Sequence, residues 1–275
     1  MTVMETPTGI EAIAEAFARA RASGRRAALM PYLMGGYPDL ATSRAIGLAY
    51  AEAGADLVEL GVPFSDPLAD GPVIHAAGTA ALRAGATLPL VLEVARDIAA
   101  HVPVVLMCYA NPILSQGVDR FLDKLVDARV SGLIVPDLPL EEASDVRPAC
   151  RHRGLAFVPL VAPTTPAERL ERIGAGASGF VYTVSLTGTT GERSEVAAGL
   201  ATVISRAAAH TSVPVALGFG ISTPEQAAAA AAAGADGVIV GTRLVRAAGE
   251  AEDPAGAVRE LVSAFSAALS GTALG

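Results

Sequence analysis

Short aliphatic runs alternate with longer stretches of helical periodicity along almost the whole chain, and this alternation restricts the fold more than any other feature of the sequence. An aliphatic run bounded by turn-forming residues is typical of a buried strand. Strands separated by helices indicate a parallel sheet that is covered on both faces. The predicted strands are 27–34, 56–60, 104–108, 132–135, 156–161, 180–184, 214–217 and 237–240.

Eight strand–helix units in about 250 residues favour a closed (β/α)8 barrel, an α/β fold, over an open sheet. We predict a single barrel domain over residues 1–275, with an extra N-terminal helix from Thr8 to Ser23 ahead of the first strand. The alternative is a doubly wound open sheet, which would usually show a GxGxxG fingerprint where this chain has MGGYPD. The other helices are expected at 39–53, 72–84, 88–100, 118–128, 141–153, 166–173, 196–209, 224–233, 243–248 and 254–269.

The charge of the chain argues against several classes of partner. A formal net charge of −8 and a pI near 5.0 are unfavourable for binding nucleic acid or an anionic membrane. Residues 1–9 lack the basic and apolar regions of a secretory leader, and no run of 18 apolar residues occurs. We therefore expect a cytoplasmic protein.

Metal and imine chemistry are also disfavoured by the residues present. The two cysteines, Cys108 and Cys150, and the four histidines show no metal-ligand spacing, so no metal is expected. The single lysine, Lys124, lies in a helical pattern beside two acids, where a solvated position is the ordinary role. This makes an imine-forming aldolase or a pyridoxal phosphate enzyme improbable.

Two carboxylates point to acid/base chemistry at the end of the second predicted strand. Glu59 closes an apolar run, and Asp70 follows in a loop that has three prolines within ten residues. Ligands bind at the carboxyl ends of parallel strands, so both acids could face one pocket. The alternative is that Asp66 or Asp70 simply caps the next helix or forms turn hydrogen bonds.

Three glycine-bearing segments after the last three strands are candidates for a phosphate site. In barrels such a site is frequently built from the last loops and a helix N-terminus, and glycine lets the backbone approach the phosphate oxygens. Each segment alone could be an ordinary turn. The segments are 185–191, 218–222 and 240–242.

Eight motifs spread from about Met30 to Val245 carry a specific resemblance: PYLMGGYPD, ELGVPFSDPLADGP, VLMCYANP, VPDLPLEE, LVAPTTP, YTVSLTGTTG, LGFGIS and GVIVGT. Together they resemble the tryptophan synthase alpha chain family. The resemblance implies a barrel that cleaves indole-3-glycerol phosphate to indole and glyceraldehyde 3-phosphate without a cofactor of its own. It also implies a partner, the pyridoxal phosphate-dependent beta chain, in an αββα heterotetramer.

The resemblance assigns roles to individual residues. Glu59 and Asp70 match the catalytic acids, and segments 66–69 and 109–112 with Asp137 match stretches that face the beta chain. The substrate-binding positions are Tyr32, Tyr182, Phe219 and Thr190, and the phosphate-binding positions are Gly191, Gly220, Gly241 and Thr242.

The chemistry of the two acids can be reasoned independently of the resemblance. Breaking the bond to indole C3 requires protonation of that carbon, and Glu59 beside an apolar pocket would have a raised pKa suited to this shuttle. Asp70 would hydrogen-bond the indole N–H and stabilise positive charge on the ring. Alternatives that stay open are a stand-alone lyase, a regulatory barrel that has lost the chemistry, and another phosphate-binding barrel such as a sugar-phosphate isomerase.

Overall fold

The strands form one parallel sheet that curls into a barrel. The computed structural model describes residues 8–184, 193–218 and 220–270, and the strand pairings among them are parallel. Thr190, Gly191 and Phe219 lie outside the described residues. The strands are β1 Ala28–Met34, β2 Val58–Gly61, β3 Val104–Met107, β4 Gly132–Ile134, β5 Ala156–Phe157, β6 Leu160–Val161, β7 Val181–Val184, β8 Val215–Gly218 and β9 Gly237–Val240.

One or two helices follow most strands, and a further helix precedes the first strand. They are α1 Gly9–Ala22, α2 Leu40–Glu52, α3 Pro72–Arg83, α4 Leu88–Ala99, α5 Ala110–Gln116, α6 Val118–Asp127, α7 Val146–His152, α8 Ala167–Ala175, α9 Arg193–Ala208, α10 Pro224–Ala232, α11 Thr242–Glu250 and α12 Pro254–Leu269. Within the described part of the chain, none of these helices has the length and apolarity needed to span a membrane.

The sequence predicted one continuous strand over 156–161, and the structure divides it into β5 and β6. The barrel closes at this division. β5 pairs with β4, whereas β6, after the break at Val158 and Pro159, pairs with β7. The Val158 N–H donates to Leu133 O at 2.9 Å, and the Tyr182 N–H donates to Pro159 O at 2.9 Å. The prediction of one strand over 156–161 was wrong because proline cannot donate to a ladder. The predicted (β/α)8 class is confirmed.

The predicted N-terminal helix is present and fills one end of the barrel. Ile13 and Phe17 of α1 share a buried cluster with the inward side chains Met30 and Phe180, and the rings of Phe17 and Phe180 lie 6.0 Å apart. Thr8 occupies the expected N-cap position, but its side chain makes no capping hydrogen bond. Because α1 closes this end, a ligand must enter from the opposite, carboxyl-terminal end.

Two helix predictions need correction. The single helix expected over 118–128 is preceded by a second helix, α5, and Gly117 with φ of +85° separates the two. The helix expected over 141–153 begins only at Val146. Pro148 explains the late start, since proline has no N–H and its ring clashes with the carbonyl four residues earlier in a continuous helix.

The barrel register places Glu59 beside tyrosine. Glu59 pairs with Tyr32 of β1 and with Val105 of β3, and Leu160 pairs with Tyr182 of β7. Met30 and Leu57 belong to the buried cluster inside the barrel. Side chains alternate along a strand, so Tyr32 and Glu59, each two positions later, face the same interior.

A partly buried ion pair joins the strands that carry these residues. Arg25 Nη1 lies 2.6 Å from Asp56 Oδ2, and the same oxygen accepts the Leu29 N–H at 2.8 Å. Arg25 Nη2 also donates to Ser266 Oγ of α12 at 2.8 Å. The start of β1, the approach to β2 and α12 are therefore held by one guanidinium–carboxylate pair.

Replacing Asp56 with Ala should lower the free energy of unfolding by about 2–4 kcal/mol, because it removes the charge partner of the partly buried Arg25 and the acceptor of the Leu29 N–H. Chemical denaturation measures the loss. Asp97→Ala is the matched control, since its pair with Arg44 has the same 2.6 Å distance but side chains that are 41% and 50% exposed. There we expect about 0.5 kcal/mol or less. Equal losses in the two variants would contradict the role given to Asp56.

Candidate active site

Glu59 is a buried carboxyl group on β2, two residues before the strand ends at Gly61. Its side chain is 2% exposed, and its Oε2 atom has no hydrogen-bond partner among the described residues. Burial, with a smaller contribution from the charge of Asp70, raises the pKa of Glu59 to about 8. Glu59 therefore holds a proton at neutral pH and has one oxygen free to meet a ligand.

Asp70 faces the same end of the barrel from the loop between β2 and α3. Its Oδ1 accepts a hydrogen bond from the Tyr109 hydroxyl at 3.1 Å. Burial raises the pKa of Asp70, while the Tyr109 hydrogen bond and the nearby His75 lower it. The N-cap residue of α3 is Gly71, and no side chain caps this helix. The capping alternative for Asp66 and Asp70 is therefore wrong.

Two buried tyrosines stand close to the acids. Burial raises the pKa of Tyr32 and of Tyr182 well above the ordinary value, and the charge of Glu59 adds to the rise at both phenols. Both phenols therefore remain neutral. They can fill an apolar pocket and donate a hydrogen bond, but they cannot act as bases at neutral pH.

Glycines at two strand ends make room for these tyrosines. A Cβ atom on Gly61 would overlap with the hydroxyl end of Tyr32, and one on Gly218 would overlap with the ring of Tyr182. Gly61 ends β2 and Gly218 ends β8. The backbone at these positions therefore forms the surface on which the two rings rest.

Tyr109 is a member of this site that the sequence analysis assigned only to a partner-facing stretch. It is 2% exposed and lies just beyond β3, and its hydroxyl, which donates to Asp70, also accepts the Ala69 N–H at 3.0 Å. An aromatic residue just beyond a strand end, two positions after Met107, was the available signal. Its partner lies 39 positions away in the sequence, so spacing could not reveal the contact.

Part of the predicted phosphate site lies at the same end of the barrel. Gly241 is the N-cap of α11 and Thr242 its first residue, and a Cβ on Gly241 would lie 3.6 Å from Tyr32 Cβ. Gly220 has φ of +80° and is exposed after β8. The first amides of a helix lack intrahelical partners and attract anions. The structure thus brings Gly241 near Tyr32, and Thr242 follows it at the start of α11.

Comparisons with known proteins agree over most of the chain. A family model described as tryptophan synthase alpha chain matches residues 17–270. The tryptophan synthase alpha chain of Prochlorococcus marinus (strain MIT 9313) is 49% identical over 236 residues, which are 85% of this chain and 86% of the relative.

Solved structures show the same likeness. A chain of Mycobacterium tuberculosis tryptophan synthase gives a TM-score of 0.86 at 40% identity and covers 94% of this chain and 97% of its own length. A chain from the tryptophan synthase α2β2 complex of Pyrococcus furiosus, studied for mutual activation, gives 0.81 at 38% identity, with 86% and 97% covered.

We expect the Glu59 carboxyl group to titrate near pH 8, which carboxyl ¹³C NMR on glutamate-labelled chain can measure, with the resonance assigned by its loss in Glu59→Gln. Between its ordinary value of 4.5 and about 8, the folded chain holds a proton that the unfolded chain has lost. Stability therefore falls as pH rises through this window.

Between pH 5 and pH 9, the unfolding free energy of Glu59→Gln should therefore rise relative to that of the unsubstituted chain. Glu93→Gln, at an exposed position on α4, is the control and should show no such trend. A Glu59 resonance that titrates between pH 4 and 5 would contradict the expectation.

Proposed function

The chain belongs to the tryptophan synthase alpha chain family, and from this premise we propose that Glu59 and Asp70 are the residues with which it cleaves indole-3-glycerol phosphate. As an alpha subunit of tryptophan synthase, it is a carbon–carbon lyase of tryptophan biosynthesis that releases indole and glyceraldehyde 3-phosphate. The observation that carries the assignment is the buried Glu59 carboxyl, with a pKa of about 8 and an unpartnered oxygen.

Glu59 acts first as an acid and then as a base. The protonated carboxyl delivers its proton to indole C3, which converts the ring to a cationic indolenine and leaves a carboxylate. That carboxylate then takes the proton of the glycerol hydroxyl as the carbon–carbon bond breaks. The electron pair of the broken bond returns to the ring, the aldehyde forms, and Glu59 is protonated again.

Asp70 stabilises the charge that appears on the ring in this step. The indolenine nitrogen carries an N–H with positive charge, and a carboxylate that accepts this N–H lowers the energy of the cation more than that of neutral substrate. The Tyr109 hydrogen bond and His75 favour the ionised form of Asp70, which supports this role.

The remaining substrate contacts follow from the surrounding residues. We assign the indole ring to the apolar volume beside Tyr32 and Tyr182, which the inward side chains Met107 and Leu160 adjoin. We assign the phosphate to the α11 N-terminus at Gly241 and Thr242, with Gly220 beside it. Phe219, Thr190 and Gly191 are proposed to complete the pockets, as the family resemblance implies.

The beta chain is the proposed partner, in an αββα heterotetramer that holds pyridoxal phosphate in the beta chain only. A P. furiosus relative of the same fold forms an α2β2 complex, which supports this assembly. Leu68, 79% exposed, lies within segment 66–69, and Leu114, 58% exposed, lies two residues beyond segment 109–112, the two segments expected to face the partner. Large exposed apolar side chains of this kind are typical of a docking surface. A cytoplasmic location and a single domain over residues 1–275 belong to this proposal.

Indole release from indole-3-glycerol phosphate, measured with the purified chain alone and with a beta chain, tests these assignments. Glu59→Gln and Asp70→Asn should each lower kcat by about 100-fold or more, because each removes a group that acts in the transition state. Glu93→Gln should leave the rate unchanged.

The alternatives predict different results in the same experiment. Weak activity alone that the beta chain raises supports a partnered subunit, whereas full activity alone indicates a stand-alone lyase. No release in either condition would favour a regulatory barrel or another phosphate-binding barrel.

The glycine surface under Tyr182 gives a second expectation. Gly218→Ala should lower kcat/KM for indole-3-glycerol phosphate by roughly 10- to 100-fold, because the added methyl group displaces the Tyr182 ring from the indole pocket. Steady-state kinetics measure the loss. Gly199→Ala on α9, where a Cβ meets no atom within 4 Å, is the control. Equal kinetics for the two variants would contradict the assigned role of Gly218.

A further inference from the structure

The Tyr109 hydroxyl group holds the loop that carries Asp70, because it both accepts a hydrogen bond from this loop and donates one to it. The Ala69 N–H donates to the Tyr109 oxygen at 3.0 Å, and the Tyr109 hydroxyl donates to Asp70 Oδ1 at 3.1 Å. Because the first bond uses the oxygen as acceptor, the single hydroxyl proton is directed to the carboxylate. Burial raises the pKa of Tyr109, so this proton is retained at neutral pH.

The ring of Tyr109 contacts the beginning of the same loop. Phe64 stacks on it with ring centroids 5.3 Å apart and planes inclined by 26°. Phe64 and the Ala69–Asp70 pair lie at opposite ends of this short stretch. One side chain therefore touches both ends of the segment and restricts where the Asp70 carboxylate can point.

The backbone of Tyr109 is itself fixed from a third element. Tyr109 is the N-cap residue of α5, and the next N–H, from Ala110, donates to Asp137 Oδ1 at 2.8 Å. Asp137 follows β4, so two neighbouring strand ends determine the position of the tyrosine. The hydroxyl thus rests on a rigid support, which is what a group that orients another side chain requires.

We propose that Tyr109 is a positioning residue for the lyase reaction, which holds Asp70 Oδ1 so that the carboxylate presents its other oxygen to the indole N–H. This inference rests on the role proposed for Asp70. The ionisable groups that face Asp70 are Glu59 on β2, Tyr32 on β1, Tyr109 and His75 on α3. Of these, Tyr109 is the one joined to Asp70 by a hydrogen bond in the described structure.

Tyr109→Phe tests the proposal in the full chain with a beta chain, because it removes the hydroxyl and keeps the stacked ring. We expect kcat for indole release to fall about tenfold while KM changes less than about twofold, since the effect concerns charge that develops in the transition state. The acidic limb of the pH profile should move up by about one pH unit, because a hydrogen bond that favours the Asp70 carboxylate is lost.

A titration of Asp70 gives a readout that does not depend on turnover. Carboxyl ¹³C NMR of aspartate-labelled chain, with the Asp70 resonance assigned by its loss in Asp70→Asn, should show a higher pKa in Tyr109→Phe than in the unsubstituted chain. A Tyr→Phe control is Tyr37→Phe, since the hydroxyl of Tyr37 packs against Gly249 of α11. That variant should leave both the titration and the kinetics unchanged.

Asp137 supplies a second pair of variants. Asp137→Ala removes the acceptor of the Ala110 N–H and should reproduce part of the Tyr109→Phe effect on kcat, whereas Asp137→Asn retains an amide oxygen and should restore it. An Asp70 pKa and a kcat that are unchanged in Tyr109→Phe would overturn the proposal. Absence of indole release by the unsubstituted chain would instead refute the proposed function, and the NMR titration would still decide the part played by Tyr109.

Discussion

The burial of one carboxyl group inside an aliphatic barrel is the constraint on which the rest of the site depends. An ionised Glu59 at this position would be costly, since no described residue offers its Oε2 a hydrogen bond. The group therefore keeps its proton, and its pKa of about 8 follows mainly from burial. The neighbouring phenols Tyr32 and Tyr182 are neutral for the same physical reason. A proton donor is thus available at neutral pH without a metal ion or a second base.

The barrel supplies this environment through features far from the acids. The helix α1 fills the opposite end, and the strand divided at Pro159 closes the wall by bonding to β4 on one side and β7 on the other. In the proposed mechanism Asp70 has the opposite requirement, because it acts as a carboxylate beside a buried acid. Burial raises the pKa of Asp70, whereas the hydrogen bond from Tyr109 and the nearby His75 lower it and so favour the carboxylate.

Much of the fold was accessible from local patterns, and the errors have local causes. Aliphatic runs and helical periodicity predicted the strand–helix alternation, because strand and helix periods follow from backbone geometry. The missed helix α5 begins with an N–H whose acceptor, Asp137, lies 27 positions away, and the shortened α7 begins only two residues before Pro148. The division between β5 and β6 depends on which neighbour each half meets, and no periodicity records that choice.

The sequence by itself determined the barrel class, the position of Glu59 on the second strand and the family resemblance, because these depend on residue types within single segments. Only the tertiary structure decided the burial and raised pKa of Glu59, the contacts of the tyrosines with Gly61 and Gly218, and the bond from Tyr109 to Asp70. Burial and long-range contacts arise when segments distant in the chain meet, and the free energy of a charge depends on everything that surrounds it.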